Sequence, residues 1–304
     1  MELYNTNFLN LRNKYIIPKV HYGIKRNKYK YWNLKDILSN NIISLKKLAG
    51  KSFEIELSKE DYYKAIHCEI ELFMNKSTIQ HKDLLKQTDV SKTWSFVTLY
   101  YLSFFSITLL FRFIDRGFLF FSREQLKKIS DFSLAVYSEV IEFPTGNYYF
   151  NLKEINELGN AVITLTYKGD NVHKTSWIYF EEVINEFCSN SKDHELLIYN
   201  YLLNFFKKNN FEFPSRLRNK LNYNGESSIL DIDDILNESK ILEVNSKFLR
   251  SLSSINQDDK TENNLISQIS HFCSYFFELN NKLYEQYKLR NEYCKPFEKD
   301  RSLL

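Results

Sequence analysis

The stretch SRLRNKLNYNG at residues 215–225 carries the side chains best suited to chemistry in this sequence. On a helix, Arg218 and Asn222 are one turn apart and share a face, whereas Tyr223 can converge with Arg218 only where the helix end loosens. Guanidinium groups hold phosphate oxygens in bidentate fashion, so the segment predicts a phosphate-binding site. The candidate site residues of this segment are Arg216, Arg218, Lys220, Asn222 and Tyr223.

A purely structural interpretation of the same residues stays open. In that interpretation Arg218 satisfies buried carbonyls or a carboxylate inside a helical bundle, and Tyr223 is a core aromatic side chain with one hydrogen bond. Phosphate binding without catalysis is a third possibility, because two nearby arginines suffice for it.

Signatures of several common enzyme classes are absent from the sequence. It contains no Gly-rich phosphate loop, no GxSxG or HExxH motif and no paired-carboxylate signature. The six histidines are scattered, and the cysteines form no CxxC pair. Metal sites and disulfide frameworks need short, regular spacings, so we predict no metal, no cofactor and a reducing compartment. The cysteines are Cys68, Cys188, Cys273 and Cys294.

The composition is that of a globular protein with many aromatic side chains. With 304 residues, 43% hydrophobic and 26% charged, the chain can bury a substantial core. Only 7 Gly and 4 Pro interrupt it, which favours long helices. A net charge of +3, from 41 basic and 38 acidic residues, excludes a generic electrostatic nucleic-acid binder. Any phosphate contact must therefore come from a local cluster.

Residues 12–47 are the most basic region, with Tyr and Trp side chains interleaved. Basic groups bind phosphates and aromatic rings stack on bases, so a nucleic-acid-binding surface is one interpretation. An ordinary solvated face, balanced by acids elsewhere, is the alternative. The basic residues of this region are Arg12, Lys14, Lys19, Lys25, Arg26, Lys28, Lys30, Lys35, Lys46 and Lys47.

The segment 93–117 carries no charge between Lys92 and Arg112 and places apolar side chains on two lines at helical spacing. Such a helix must be covered on both sides, so we predict the central helix of the core, ending at Gly117. Its length also suits a membrane span, but its many Ser, Thr and Tyr residues favour burial in protein. We therefore predict a cytoplasmic protein with no membrane span and no secretory signal.

The remaining patterns predict a mainly α protein with one β insertion. Strict alternation at residues 161–167, followed by a turn at 168–171, indicates a β-hairpin or three-stranded flap within 146–175. The most polar run, 253–264, is predicted to be a loop. Helices are predicted at residues 34–38, 43–48, 59–74, 82–86, 131–142, 177–187, 195–208, 215–223, 229–242 and 265–287.

Two segments together resemble the HEPN superfamily, the higher eukaryote and prokaryote nucleotide-binding domain. WSFVTLYYLSFF at residues 94–105 is similar to its W-x-x-x-x-x-YYAxFF helix, and RNKLNY at 218–223 is similar to its later R-x-x-x-x-[HY] motif. The resemblance implies a HEPN-like bundle of four to five helices. It would cover residues 55–295, with the β insertion at 146–175. Residues 1–54 would be a basic, aromatic N-terminal extension and 296–304 a tail.

Active members of that superfamily are metal-independent ribonucleases, common in toxin–antitoxin and anti-phage systems and often dimeric. In those members an Arg holds the scissile phosphate while a His moves the proton of the attacking 2′-hydroxyl. For this sequence the resemblance implies Arg218 and Tyr223 as the catalytic residues and Arg216, Lys220 and Asn222 as the RNA- or phosphate-binding residues. At the position of that His this sequence has Tyr223, and no histidine lies near it in the chain. A phenol with a pKa of about 10 is a poor base at neutral pH.

The expectation is an RNA-directed component of a bacterial anti-phage defence or toxin module, which would be a metal-independent endoribonuclease in its active form. Its partners would be RNA or a nucleotide, together with a protein of a defence complex or a second copy of the chain. The alternative is a non-catalytic HEPN-like interaction subunit, in which the bundle and the β insertion present surfaces to a larger partner. A single-span membrane protein is the third class.

Overall fold

Long helices and one antiparallel sheet make up the part of the chain that the computed structural model describes. This part comprises residues 6–87, 91–169, 171–223, 241–255 and 258–294. The helices are α1 (Thr6–Leu11), α2 (Leu34–Asn40), α3 (Lys59–Lys86), α4 (Lys92–Phe113), α5 (Arg123–Tyr137), α6 (Val172–Asn190), α7 (Asp193–Asn209), α8 (Phe213–Tyr223), α9 (Ser246–Ser254) and α10 (Glu262–Lys288). The strands are β1 (Ser44–Lys47), β2 (Ser52–Ser58), β3 (Arg116–Phe121), β4 (Gly146–Ile155) and β5 (Asn160–Gly169). The predicted mainly α class is confirmed.

The chain divides into two compact units. The first contains the described residues within 1–14, 73–110 and 173–285. The second contains those within 15–72, 111–172 and 286–304. Helices α7, α8 and α9 belong to the first unit, whereas the sheet, α2 and α5 belong to the second.

The sheet of the second unit has the strand order β1-β2-β5-β4-β3, and all neighbours are antiparallel. Buried and half-buried residues alternate along β2, as expected of a strand with one face against a core. β5 pairs on one side with β2, where Ile163 faces Ile55, and on the other with β4, where Leu165 faces Phe150. The hairpin predicted within 146–175 is therefore confirmed, but it is the inner part of a larger sheet.

Two strands of this sheet differ from the sequence-based expectation. The helix predicted at residues 43–48 is wrong, because Ser44–Lys47 forms β1 and pairs with β2. Residues 118–121, for which the sequence patterns predicted no element, form most of β3 and pair with β4. In segments this short, pairing within a sheet outweighs local helical preference.

Several helix boundaries also differ from prediction. The helices predicted at 59–74 and 82–86 are one helix, α3, and the Ser58 hydroxyl accepts a hydrogen bond from the Asp61 backbone N–H at its start. α5 begins at Arg123 because Ser122 forms a capping box with Gln125. The predicted helix 229–242 lies outside the described residues up to 240, and 241–242 have no regular structure.

α4 is the predicted central apolar helix, and most of its residues from Phe96 onward are buried. Within the described residues it is the one helix long and apolar enough to cross a membrane, and 72% of its most apolar window is buried inside the protein. It ends at Phe113, so the prediction that Gly117 stops this helix is wrong. Gly117 lies in β3.

A buried arginine explains the glycine at that position. Arg112 donates from Nε to the Glu69 carboxylate at 3.1 Å, from Nη1 to the Arg116 carbonyl at 3.1 Å and from Nη2 to the Phe118 carbonyl at 2.9 Å. Gly117 has a φ of +137°, and an added Cβ would lie 2.0 Å from Nη1 of Arg112. The guanidinium fills the space that any side chain at 117 would need.

Lys19, one of the basic residues of the predicted surface at 12–47, is a second buried cation. Lys19 is 1% exposed, and its Nζ lies 2.7 Å from the Asp115 carboxylate and donates to two backbone carbonyls. The Tyr62 hydroxyl donates to the same carboxylate at 3.2 Å. Burial lowers the pKa of Lys19 and raises that of Asp115, while each charge opposes the shift of the other. Lys19 therefore belongs to the core of the second unit.

Candidate functional site

All five predicted site residues lie on α8, but four of them are exposed and one is half-buried. Its apolar face buries Phe213, Leu217 and Leu221. The exposed members of the predicted set are Arg216, Lys220, Asn222 and Tyr223. Arg218 is half-buried, and it is the one around which a site can be built.

The exposed members have other surroundings. Lys220 forms an ion pair with Glu262 at the start of α10. Arg216 donates from Nη2 to the backbone carbonyl of Asn209 at 3.4 Å. Tyr223 is the last residue of α8 and 73% exposed, so its hydroxyl is not held in a cleft within the described residues.

Arg218 lies over two aromatic rings of α4, which belongs to the first unit here. Its Cζ atom is 5.3 Å from the ring centroid of Tyr100 and 5.9 Å from that of Tyr101. These are cation–π contacts, for which guanidinium is well suited. The Nε atom of Arg218 is buried and has no hydrogen-bond partner among the described residues. Buried N–H groups are normally paired, so this one is a candidate donor to a bound anion.

His173, the second residue of α6, lies beside the same tyrosine. Its Nδ1 is 3.0 Å from the hydroxyl oxygen of Tyr100, and its ring is 4.3 Å from the ring centroid of Phe104. Burial, together with the positive charge of Arg218, lowers the pKa of His173 to about 4. The imidazole is therefore neutral at pH 7, with one nitrogen able to accept a proton.

Tyr100 is fully buried and connects the two groups. Burial raises the pKa of its phenol, although the charge of Arg218 acts in the opposite direction. The phenol therefore stays protonated at neutral pH. It can accept a hydrogen bond from Nδ1–H of His173, which leaves Nε2 unprotonated, or donate to Nδ1 in the other tautomer.

Neighbouring residues hold α6 and α8 together around this site. Lys174 forms an ion pair of 2.6 Å with Glu212, the residue that precedes α8. One turn after His173, Trp177 is buried and stacks on Phe206 of α7 with 5.8 Å between ring centroids. These contacts lie within the first unit and fix the start of α6 next to α8.

His173 was not among the residues predicted for the site. The sequence pattern indicated Tyr223 as the partner of Arg218 because the family motif places both residues on one helix. His173 lies in a different segment, and nothing in its sequence context separates it from the other scattered histidines. Only the packing of α4, α6 and α8 brings it to the arginine.

Comparison with known proteins adds no relative: no family model, curated protein or solved structure matches the chain. The geometry of this site is therefore the basis for assigning a function.

Proposed function

We propose that this chain is an RNA-directed component of a bacterial anti-phage defence or toxin module, with a metal-independent ribonuclease site formed by Arg218, His173 and Tyr100. The observation that carries the proposal is that a guanidinium with a buried, unpartnered N–H and a neutral imidazole both contact one buried tyrosine. The resemblance of residues 94–105 and 218–223 to HEPN proteins supports the biological context.

The proposed chemistry is transesterification at an RNA phosphate. Nε2 of His173 takes the proton of a 2′-hydroxyl, and that oxygen attacks the adjacent phosphorus. Arg218 donates hydrogen bonds to the non-bridging oxygens, where negative charge develops. The bond to the 5′ oxygen breaks, and the imidazolium returns its proton to that oxygen. The products are a 2′,3′-cyclic phosphate and a 5′-hydroxyl.

Tyr100 has a positioning role in this scheme. Its hydroxyl accepts the hydrogen bond from Nδ1–H, which fixes the tautomer in which Nε2 is the base. The same ring supports Arg218, whose Cζ atom lies 5.3 Å from the ring centroid. His173 thereby takes the role that the sequence pattern gave to Tyr223.

The low pKa of His173 favours a second candidate. A base with a pKa of about 4 is weak at neutral pH, since general bases work best when their pKa lies near the working pH. The chain would then bind RNA phosphate at Arg218 without cutting it and act as the non-catalytic subunit of a defence complex.

Cleavage of a labelled single-stranded RNA in the presence of EDTA tests the proposal. We expect cleavage that leaves 2′,3′-cyclic phosphate ends and stops when the scissile nucleotide lacks its 2′-hydroxyl. His173→Asn should reduce the rate by about 100-fold or more, which is the typical loss when a general base is removed. Arg218→Ala should reduce it by a similar factor.

Two matched variants serve as controls. His194→Asn changes another half-buried histidine of the first unit, and Arg250→Ala removes an exposed arginine of α9. Both should cleave RNA at the wild-type rate. RNA binding that depends on Arg218 without any cleavage supports the second candidate. Absence of both binding and cleavage refutes both.

A further inference from the structure

His67, Glu71 and Cys294 come together in the second unit, outside the site described above. His67 and Glu71 are one turn apart on α3, so both side chains project from the same face of the helix. Cys294 comes from the segment that follows α10. One ligand-type atom from each residue lies within 4.8 Å of the other two.

We propose that these three residues bind a divalent transition-metal ion, with Zn²⁺ as the best fit. Imidazole nitrogen, thiolate sulfur and carboxylate oxygen are all zinc ligands, with bonds of about 2.0–2.3 Å. Magnesium and calcium prefer oxygen ligands throughout, which a set containing sulfur and nitrogen does not offer. The ligand atoms around a tetrahedral zinc lie somewhat closer together than the 4.8 Å within which these three atoms are found. Small shifts of the side chains would therefore bring them to bonding distance of the ion.

The burial of the cluster agrees with this assignment. His67 and Glu71 are both buried, and Cys294 is half-buried. A zinc ion would balance the charge of Glu71 and of the thiolate, and the thiol proton would pass to solvent on binding.

Two tyrosine hydroxyls surround the imidazole of His67. The hydroxyl of Tyr287 lies 2.7 Å from Nδ1, and that of Tyr29 lies 3.2 Å from Nε2. Metal-bound histidines commonly use the second ring nitrogen for an outer hydrogen bond that fixes the ring. One of these two hydrogen bonds would give way to the ion, and the other would fix the ring.

Three protein ligands leave one tetrahedral position for water or another small donor. The ion would also join α3 to the segment after α10, so metal binding should stabilise the second unit. The sequence analysis predicted no metal because the histidines and cysteines are scattered. The fold brings together residues that are far apart in the chain, and Cys68, which adjoins His67 in sequence, is not part of the cluster.

Metal content of the purified full-length chain tests the proposal directly. After expression with added zinc and extensive dialysis, elemental analysis should give about one zinc per chain for the wild type. Cys294→Ser should lose at least about 90% of that metal, because removal of one ligand of three strongly weakens a zinc site. Cys188→Ser, which changes another half-buried cysteine, should keep it.

Replacement of zinc by cobalt identifies the sulfur ligand. The cobalt-loaded wild type and the Cys188→Ser protein should show a thiolate-to-cobalt charge-transfer absorption, and Cys294→Ser should not. If Cys294→Ser folds poorly, Glu71→Gln provides a second test, since it should lower metal affinity while the thiolate absorption persists at saturating cobalt. A wild type without stoichiometric metal, or full metal retention in Cys294→Ser, overturns the proposal. RNA cleavage is not measured in either assay, so the outcome is independent of the proposed ribonuclease site.

Discussion

The hydroxyl oxygen of Tyr100 lies 3.0 Å from Nδ1 of His173. Because Tyr100 is fully buried on α4, this hydrogen bond ties the imidazole to a helix of the core. The same ring lies 5.3 Å from the guanidinium carbon of Arg218. One side chain thus sets the positions of two groups that the chain order keeps far apart.

Tyr100→Phe isolates the hydroxyl from the ring. We expect the rate of RNA cleavage to fall by about 10-fold, because the tautomer and orientation of His173 are no longer fixed. RNA affinity should stay unchanged, since the ring beneath Arg218 remains. Single-turnover kinetics and fluorescence anisotropy measure the two quantities. Tyr201→Phe, which removes a hydroxyl bonded to the Ile255 carbonyl, is the control. Loss of affinity with an unchanged rate would contradict the assigned role.

His173 should make the stability of the protein depend on pH. In the unfolded chain a histidine has its ordinary pKa of about 6.5, whereas burial lowers the pKa of His173 to about 4 in the folded protein. Between these values the unfolded chain binds a proton that the folded protein lacks, so His173 reduces stability as the pH falls from about 6.5 to 4. His173→Asn should remove this effect.

Urea unfolding at pH 7 and pH 4 measures that difference. Between pH 7 and pH 4 the free energy of unfolding of the variant should fall by about 1–2 kcal/mol less than that of the wild type. This figure is reduced to allow for the partial exposure of the imidazole ring. Contributions of groups elsewhere in the chain are common to both proteins and cancel in this difference. Equal losses in the two proteins would show that the imidazole is protonated normally in the folded state.

The buried pair Lys19–Asp115 should give a strong coupling energy. Lys19→Met alone leaves a buried carboxylate without its cation and should cost about 3–5 kcal/mol of unfolding free energy. Asp115→Asn removes the negative charge of the pair. The backbone at this position is left-handed, with a φ of +59°, and asparagine tolerates that conformation as aspartate does. The double variant should be less destabilised than the sum of the two single variants. Urea denaturation measures all four proteins, and strict additivity would mean that the pair contributes no coupling.

Substitutions at Gly117 and Gly159 distinguish the cost of backbone strain from the cost of a steric clash. Both glycines have positive φ, but an added Cβ at Gly159 meets no atom of the described residues within 4 Å, whereas at Gly117 it meets Arg112. Gly159→Ala should therefore cost about 1 kcal/mol, from strain alone. Gly117→Ala should cost at least about 2 kcal/mol more, because the guanidinium must leave the carbonyls that it binds. Thermal unfolding measures both, and equal costs would show that Arg112 moves aside freely.

The sequence predicted the elements whose pattern is long and periodic. The apolar steps from Leu265 to Tyr287 predicted a helix that the structure has as α10, and the alternation at 161–167 predicted β5. It failed for β1 and β3, because four to six residues carry too few periods to separate a strand from a helix. For β1, the pairing with β2 decides the conformation.

The candidate site was only half visible in the sequence. Arg218 was recognisable because it lies in the cluster of basic and polar residues at 215–225. The helix that carries Tyr100 was recognisable because its sequence is aromatic and uncharged. The contact of Tyr100 with both Arg218 and His173 depends on tertiary packing, which no local pattern encodes. The cluster of His67, Glu71 and Cys294 was invisible for the same reason.

The sheet also has a consequence for the synthesis of the chain. Ser52 in β2 and Thr166 in β5 are 114 positions apart, yet their hydroxyls are hydrogen-bonded at 3.1 Å. A ribosome must therefore make residues up to the end of β5 before β2 acquires its second neighbour. Until then the hairpin of β1 and β2 has an open edge, and open edges recruit strands from other chains. Nascent or truncated forms that stop short of residue 160 carry that hazard, and the finished protein buries it.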